Sequence, residues 1–211
     1  MRNLIIFTMV NFIILFRDAI AFDERHLKNL QKFNKCNHCI FHRADFSKTD
    51  LRNSQLKYTD FRDSNLRSAD FRGATLISAN LKKSDLSAAR FQKANLKNAN
   101  LKKTILNFSN FREANLEGVK LEKSNLNKVN FINSNLKGVS FKQSNMRKIN
   151  FKNANLNSAK FINSVLDEVN FFAADLTDAN FSSALLKAAS FRGAKFCRTK
   201  MPWGIENPNC K

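Results

Sequence analysis

From Phe41 onward, every fifth residue is large and apolar. The series Phe41, Phe46, Leu51, Leu56, Phe61, Leu66, Phe71, Leu76, Leu81, Leu86 continues unbroken to Phe191, Phe196 and Met201, and every member is Phe, Leu or Met. Two residues before each centre stands a small side chain, as in Ala44, Thr49, Ser54, Thr59, Ser64, Ala69, Ala74 and Ala79. Val119, Val129, Val139, Ile149 and Val169 are modest exceptions. Asn or Asp usually lies between the two, and the two residues after each centre are mostly polar or charged. A period of five matches neither the 3.6 of a helix nor the 2.0 of a strand. Sustained this long, it predicts a solenoid, in which each unit buries its apolar residue only by stacking on its neighbours.

A second period sets the size of the coil. Phe71, Phe91, Phe111, Phe131, Phe151, Phe171 and Phe191 are spaced by twenty, as are Leu56, Leu76, Leu96, Leu116, Leu136, Leu156 and Leu176. Four units per coil then place one wall of Phe and one of Leu inside a rod of about eight coils, roughly 40 Å long at a strand spacing of about 4.8 Å. Burial of each centre contributes about 1.5–3 kcal/mol. The small residue two places earlier also points inward. The Asn or Asp between them is expected to turn the chain at a corner, because these side chains bond their own backbone. Ile105, Val165 and Leu185 break that corner rule on the wall centred on Leu106, Leu166 and Leu186, with Phe108 outward on the same wall and Phe172 on the next.

Segments such as Ala94-Asn95-Leu96-Lys97-Asn98 and Ala174-Asp175-Leu176-Thr177-Asp178 match the motif A(D/N)LXX. Over residues 39–201 the chain resembles the pentapeptide repeat proteins. The resemblance implies an all-β fold, a right-handed quadrilateral β-helix, in agreement with the twenty-residue period. Ahead of the repeat, Asp23 to Phe33 carries apolar residues at 27, 30 and 33, which predicts a short amphipathic helix lying over the first coil. The tail from Phe196 through Trp203 to Cys210 resembles the closing segment of exported family members. Such lids are expected, because an open end exposes core and unpaired strand edges.

Composition supports one unit repeated many times: 21 Phe accompany a single Tyr and a single Trp, with only 5 Gly and 2 Pro to punctuate loops. The first residues are of another kind. Arg2, a mostly apolar run from Leu4 to Phe16 and the small residues of Ala19-Ile20-Ala21 follow the order of a secretory signal. The run is shorter than the roughly 20 residues that span a bilayer. An uncleaved anchor is the alternative, since Arg17 and Asp18 stand just before the cleavage point. The expected organisation is therefore a signal peptide at 1–21, a cap at 22–38, the repeat at 39–201 and a second cap at 202–211. It implies an exported protein, periplasmic or secreted, with no transmembrane segment after cleavage.

Four cysteines in an exported chain read first as disulfides. Cys36, Cys39, Cys197 and Cys210 allow three pairings, and chain proximity favours Cys36–Cys39 and Cys197–Cys210. A metal site formed by Cys36, His38, Cys39 and His42 is the sharper alternative, though its spacing is tighter than that of structural zinc sites. A redox Cys-x-x-Cys would need a βαβ scaffold that this pattern lacks. Catalysis finds no support. The three histidines, His26, His38 and His42, all fall in the first cap, and no Ser or Cys elsewhere keeps a His base at a fixed offset. Gly73, Gly118, Gly138, Gly193 and Gly204 are isolated and form no phosphate-cradling loop. No catalytic residue, cofactor, metal ligand or small-molecule substrate is expected.

Charge adds the functional candidate. The net charge is +19, from 36 Lys and Arg against 17 Asp and Glu. The wall centred on Leu81, Leu101, Leu121, Phe141 and Phe161 carries Lys82, Lys83, Lys102, Lys103, Lys120, Lys123, Lys142 and Lys160, opposed only by Glu122. Ammonium groups about 5 Å apart repel by roughly 0.8 kcal/mol even in water. The functional reading is a face for a polyanion such as lipid headgroups, acidic polysaccharide or nucleic acid. The bland reading is a solvated surface that guards against edge association. Nucleic-acid readers bring Arg forks or exposed aromatics, and this wall has neither. Family members that mimic duplex DNA and inhibit topoisomerases are acidic cytoplasmic rods, so the resemblance does not extend to that role. What remains is a non-enzymatic structural or binding module of the envelope or the exterior. A secreted factor acting on a host or competitor is the alternative, and a passive spacer the minimal reading.

Overall fold

The computed structural model describes residues 24–208 and 210, so the segment read as a leader lies outside the described residues. One pentapeptide makes one side of a square coil. Its centre and the small residue two before it are buried; Phe71, Ala74, Leu76 and Ala79 have no exposed surface. The residue between them lies on the strand and bridges in parallel to its equivalents twenty away, as Asp70 does to Arg90 and Asn95 to Asn115. These bridges begin at Lys35–Gln55 and end at Asn180–Lys200.

The corner falls on the two residues after the centre, which corrects the expectation that Asn or Asp occupies it. The third residue past the centre donates its amide back to the centre's carbonyl, at 2.9 Å for Ala74 to Phe71 and 2.8 Å for Ala99 to Leu96. The second has a positive φ, 59° at Asn98 and 58° at Lys103. That combination marks a type II turn. The Asn or Asp acts from the middle of the side. Its side-chain oxygen accepts the amide of the first turn residue, as Asp50 Oδ1 does from Arg52 at 3.0 Å and Asn150 Oδ1 from Lys152 at 3.0 Å. A non-glycine residue in this left-handed conformation costs about 1–2 kcal/mol. It is held there because the ladder takes its amide, as Lys103 N donates to Glu122 O at 3.0 Å.

Inside, the rings of the Phe wall stack face to face, 4.8 Å apart from Phe71 to Phe91 and 4.6 Å from Phe91 to Phe111. Inward hydroxyls find carbonyl acceptors: Ser84 Oγ donates to Leu81 O at 2.6 Å and Thr104 Oγ1 to Leu101 O at 2.7 Å. Polar side chains therefore fit the small inward positions without an orphaned donor. On the next wall the strands lengthen. Strands β1 (Asn125–Asn127), β2 (Asn145–Arg147), β3 (Val165–Asp167) and β4 (Leu185–Lys187) form a four-stranded parallel sheet in that order. Here the residue after the centre joins the ladder, Asn127 opposite Arg147 and Arg147 opposite Asp167. Ile105, Val165 and Leu185 are thus strand residues rather than corners, a place where apolar and β-branched side chains fit.

The two ends close differently. Helix α1 (Glu24–Phe33) buries Leu30 and packs Leu27 against the first coil. It stops at Asn34, whose φ of 52° and amide bond to Leu30 O at 2.9 Å form a left-handed cap. Phe33, expected on the packed stripe, is instead 62% exposed, with the Lys32 ammonium 5.0 Å from its ring centre. The ladder starts at Lys35, four residues ahead of the expected boundary. Cys36 is therefore the first centre of the Leu wall, and Cys39 fills the next small inward position. The disulfide joining them is buried. At the other end, β5 (Thr199–Met201) and β6 (Gly204–Glu206) form an antiparallel hairpin, and a second disulfide joins Cys197 to Cys210. Lys200 bridges to Asn180, so the hairpin extends one wall only. Leu186, Phe191 and Phe196, the last centres of the other three walls, remain partly exposed.

Candidate anion-binding wall

The solenoid places the eight lysines by phase. Lys82, Lys102 and Lys142 each follow a centre; Lys83, Lys103 and Lys123 occupy the left-handed corner position, with φ of 62°, 58° and 59°. Lys120 and Lys160 sit mid-strand, each bridged to Ser140 between them. Successive coils are about 4.8 Å apart, so the sequence candidates lie on one side of the rod and its adjoining corner. Lys82 and Lys102 are half-buried along their stems, and the other six are exposed.

Counter-charge is sparse on this wall. Lys102 Nζ lies 3.6 Å from Glu122 Oε2, and Lys83 Nζ lies 4.0 Å from Asp63 Oδ1. Asp60 and Asp63, on the Phe61 coil of this wall, add to the opposition expected from Glu122 alone, and Asp60 holds Arg62 at 2.6 Å. Among the described residues, Lys82, Lys103, Lys120, Lys123, Lys142 and Lys160 have no carboxylate in ion-pair range. The other walls are built otherwise. Arg52 pairs with Asp50 at 2.7 Å and Arg72 with Asp70 at 2.6 Å, both on the Phe wall. Lys97 reaches Glu117 at 3.1 Å, and Arg147 reaches Asp167 at 3.3 Å. Partial burial pushes the Asp70 carboxyl up, but hydrogen bonds from Arg72 and the charges of Arg72 and Arg90 outweigh it and hold Asp70 below the usual carboxylate range.

The outward aromatics have local partners. Lys128 Nζ stands 5.3 Å from the Phe108 ring centre and Lys152 Nζ 5.4 Å from that of Phe172, within cation–π range. The candidate metal ligands do not converge, because the two sulfurs are bonded to each other. His38 stacks on Tyr58 at 4.7 Å, and His42 Nε2 lies 3.3 Å from Asp63 Oδ2. His26 Nδ1 accepts the Ile40 amide at 3.2 Å. Among the described residues no group of three or more His, Cys, Asp or Glu is arranged to hold a metal ion, and no helix is long and apolar enough to cross a membrane.

A four-sided β-solenoid of five-residue units, with its chemistry confined to outward ladders, defines a repeat scaffold. The chain belongs to the pentapeptide repeat family: a model described as pentapeptide repeat region matches residues 74–151, and one described as pentapeptide repeats (8 copies) matches 35–67, 134–171 and 164–201. No curated protein matches the chain. Among solved structures it is similar to HetL of the cyanobacterium Nostoc sp. strain PCC 7120, a pentapeptide repeat protein involved in heterocyst differentiation regulation. The identity is 24%, covering 81% of this chain and 88% of that one, with a TM-score of 0.59. It is also similar to a trypsin-treated variant of QnrB1, a plasmid-mediated fluoroquinolone resistance protein, at 19% identity over 76% of this chain and 83% of that one, with a TM-score of 0.69. At these identities the likeness carries the fold alone.

Proposed function

We propose that this protein is a non-enzymatic, exported binding module whose lysine wall engages an anionic surface or acidic polysaccharide outside the cytoplasm. The observation that carries the reading is the contrast in counter-charge: among the described residues six of eight wall lysines lack a carboxylate partner, while the other walls pair Arg or Lys with Asp or Glu, within a coil at Arg52–Asp50 and Arg72–Asp70 and between coils at Lys97–Glu117 and Arg147–Asp167. A rigid array of unneutralised ammonium groups, repeated once per coil, attracts a polyanion along its length at little cost in ordering the protein. The signal-like order of residues 1–21 supports export. The strongly positive charge sets the protein apart from a mimic of duplex DNA.

Binding to immobilised heparin and to acidic vesicles at low salt tests the reading. Binding is expected to weaken steeply as salt rises, as polyelectrolyte attraction does. The triple variant Lys82→Glu, Lys102→Glu, Lys142→Glu is expected to lose most of it. Lys57→Glu, Lys137→Glu, Lys187→Glu makes the same change in net charge on other walls, at positions without ion pairs among the described residues, and is expected to retain it. Equal losses from both sets would show that bulk charge governs binding and would remove the wall as a site.

A further inference from the structure

The lysine wall changes character along its length. Its first coils carry carboxylates, Asp60 and Asp63. From Lys123 to Lys200 its outward positions hold Lys, Ser, Asn, Gln and Ile162, and no acidic residue. The wall then runs out into the β5–β6 hairpin. Lys200 and Ile205 are cross-strand partners, so their side chains share the outward face. Thr199 and Glu206, the next pair, share the opposite face. Trp203, in the turn between the strands, donates Nε1–H to Glu206 Oε1 at 3.0 Å. Trp203 and Ile205 are nonetheless 65% and 62% exposed, and Leu185, on the adjoining wall in the last coil, is exposed too. This exposure is built in. The strand pairing, the Cys197–Cys210 disulfide and the Arg198 amide, which donates to Asn207 Oδ1 at 2.6 Å, fasten the tail back onto the rod.

We propose that this hairpin is an interfacial anchor and that the anionic partner of the lysine wall is a lipid bilayer, an inference that rests on the binding role assigned to that wall. Trp203 and Ile205 enter the boundary between headgroups and acyl chains, and the lysines behind them rest on anionic headgroups. An acidic polysaccharide needs the ammonium ladder alone and leaves the exposed Trp and Ile in water. A bilayer takes both, because interfacial binding combines buried apolar area with attraction to anionic lipid. Indole also favours that boundary, with its apolar body and polar N–H. Apolar groups on both faces of one hairpin suit edge-on entry into a fluid interface, whereas a folded partner would cover one face. Glu206 lies on the face away from Lys200 and Ile205, so its charge is turned from the headgroups that the outward face meets. Asp60 and Asp63 stand at the far end of the wall, so the rod approaches tip first with its acidic end raised.

Trp203 is the single Trp of the chain, so its fluorescence reports the tip alone. The purified protein is titrated with vesicles of phosphatidylcholine mixed with phosphatidylglycerol, and separately with heparin. Vesicles are expected to shift the Trp203 emission to shorter wavelength, and brominated acyl chains to quench it. Heparin is expected to bind and leave the emission unchanged. Trp203→Ser combined with Ile205→Ser is expected to weaken vesicle binding about tenfold or more and to leave heparin binding unaltered. Lys82→Glu, Lys102→Glu, Lys142→Glu is expected to lose both. Vesicle binding with unmoved emission, or with affinity retained by the double variant, overturns the anchor and leaves the wall as a site. Binding to heparin but not to vesicles overturns it as well and assigns the wall to a polysaccharide. Binding to neither overturns the anchor and the wall together.

Discussion

The lysine wall and the Phe wall opposite it share one backbone plan and differ in what their outward ladders carry. Both use the same turn, with Lys103 at φ 58° on one and Asn153 at φ 57° on the other. Both bury a continuous apolar stack. On the Phe wall, Asp50, Asp70 and Glu113 hold Arg52, Arg72 and Arg112 within 2.9 Å. On the lysine wall most ammonium groups face water alone. The solenoid therefore sets where charges stand and leaves their sign to the residue choice at each outward position. An unneutralised ladder is a property of this wall's sequence, because the same scaffold balances its charge elsewhere.

The largest effects should not distinguish the walls. Phe131→Ala inside the Phe wall is expected to cost about 3–5 kcal/mol and Leu121→Ala inside the lysine wall about 2–5 kcal/mol, each opening a cavity in a packed stack. Denaturant unfolding measures both. An outward change such as Lys142→Ala costing as much would show that the inward and outward phases are misassigned.

Acid should act more gently, and on Asp–Arg pairs of both walls. Asp70 has its pKa lowered from the ordinary 3.8, so the stability it contributes is fully present above that value and is lost as pH falls through the lower folded one. Surface pairs of this kind contribute at most about 1 kcal/mol each. Unfolding free energy should hold steady from neutrality to about pH 4 and then decline, and Asp70→Asn should flatten part of that decline. An unchanged slope in the variant would mean that the pairs made by Asp70 contribute nothing to stability. Smaller still, Ala88→Gly should stabilise by up to about 1 kcal/mol, because Ala88 holds a φ of 58° at an exposed corner. Lys137→Ala should change stability by less than about 0.5 kcal/mol.

The walls, the coil length and the lysine list were legible in the sequence because each rests on residue types recurring at five and twenty. The corner was not. Asn and Asp are turn formers by propensity, and propensity places a turn nearby without saying on which side of the residue it falls. Gly73, Gly118, Gly138 and Gly193 all stand two places after a centre, and that shared phase was the signal for a positive φ there. Asp63 was missed as a counter-charge because the wall was counted from Leu81 rather than from Phe61, one coil earlier. The exposure of Phe33 and that of the last centres follow from how the chain enters and leaves the coil, which no repeat encodes.

Lysine acetylation footprinting with heparin bound tests the functional account most directly, because it reads each ammonium group separately. Protection is expected at Lys82, Lys83, Lys102, Lys103, Lys120, Lys123, Lys142 and Lys160, with Lys57, Lys137 and Lys187 modified at the rate of the free protein. Protection spread evenly over all four walls, or confined to lysines outside this one, would contradict the assignment of the wall as the binding face.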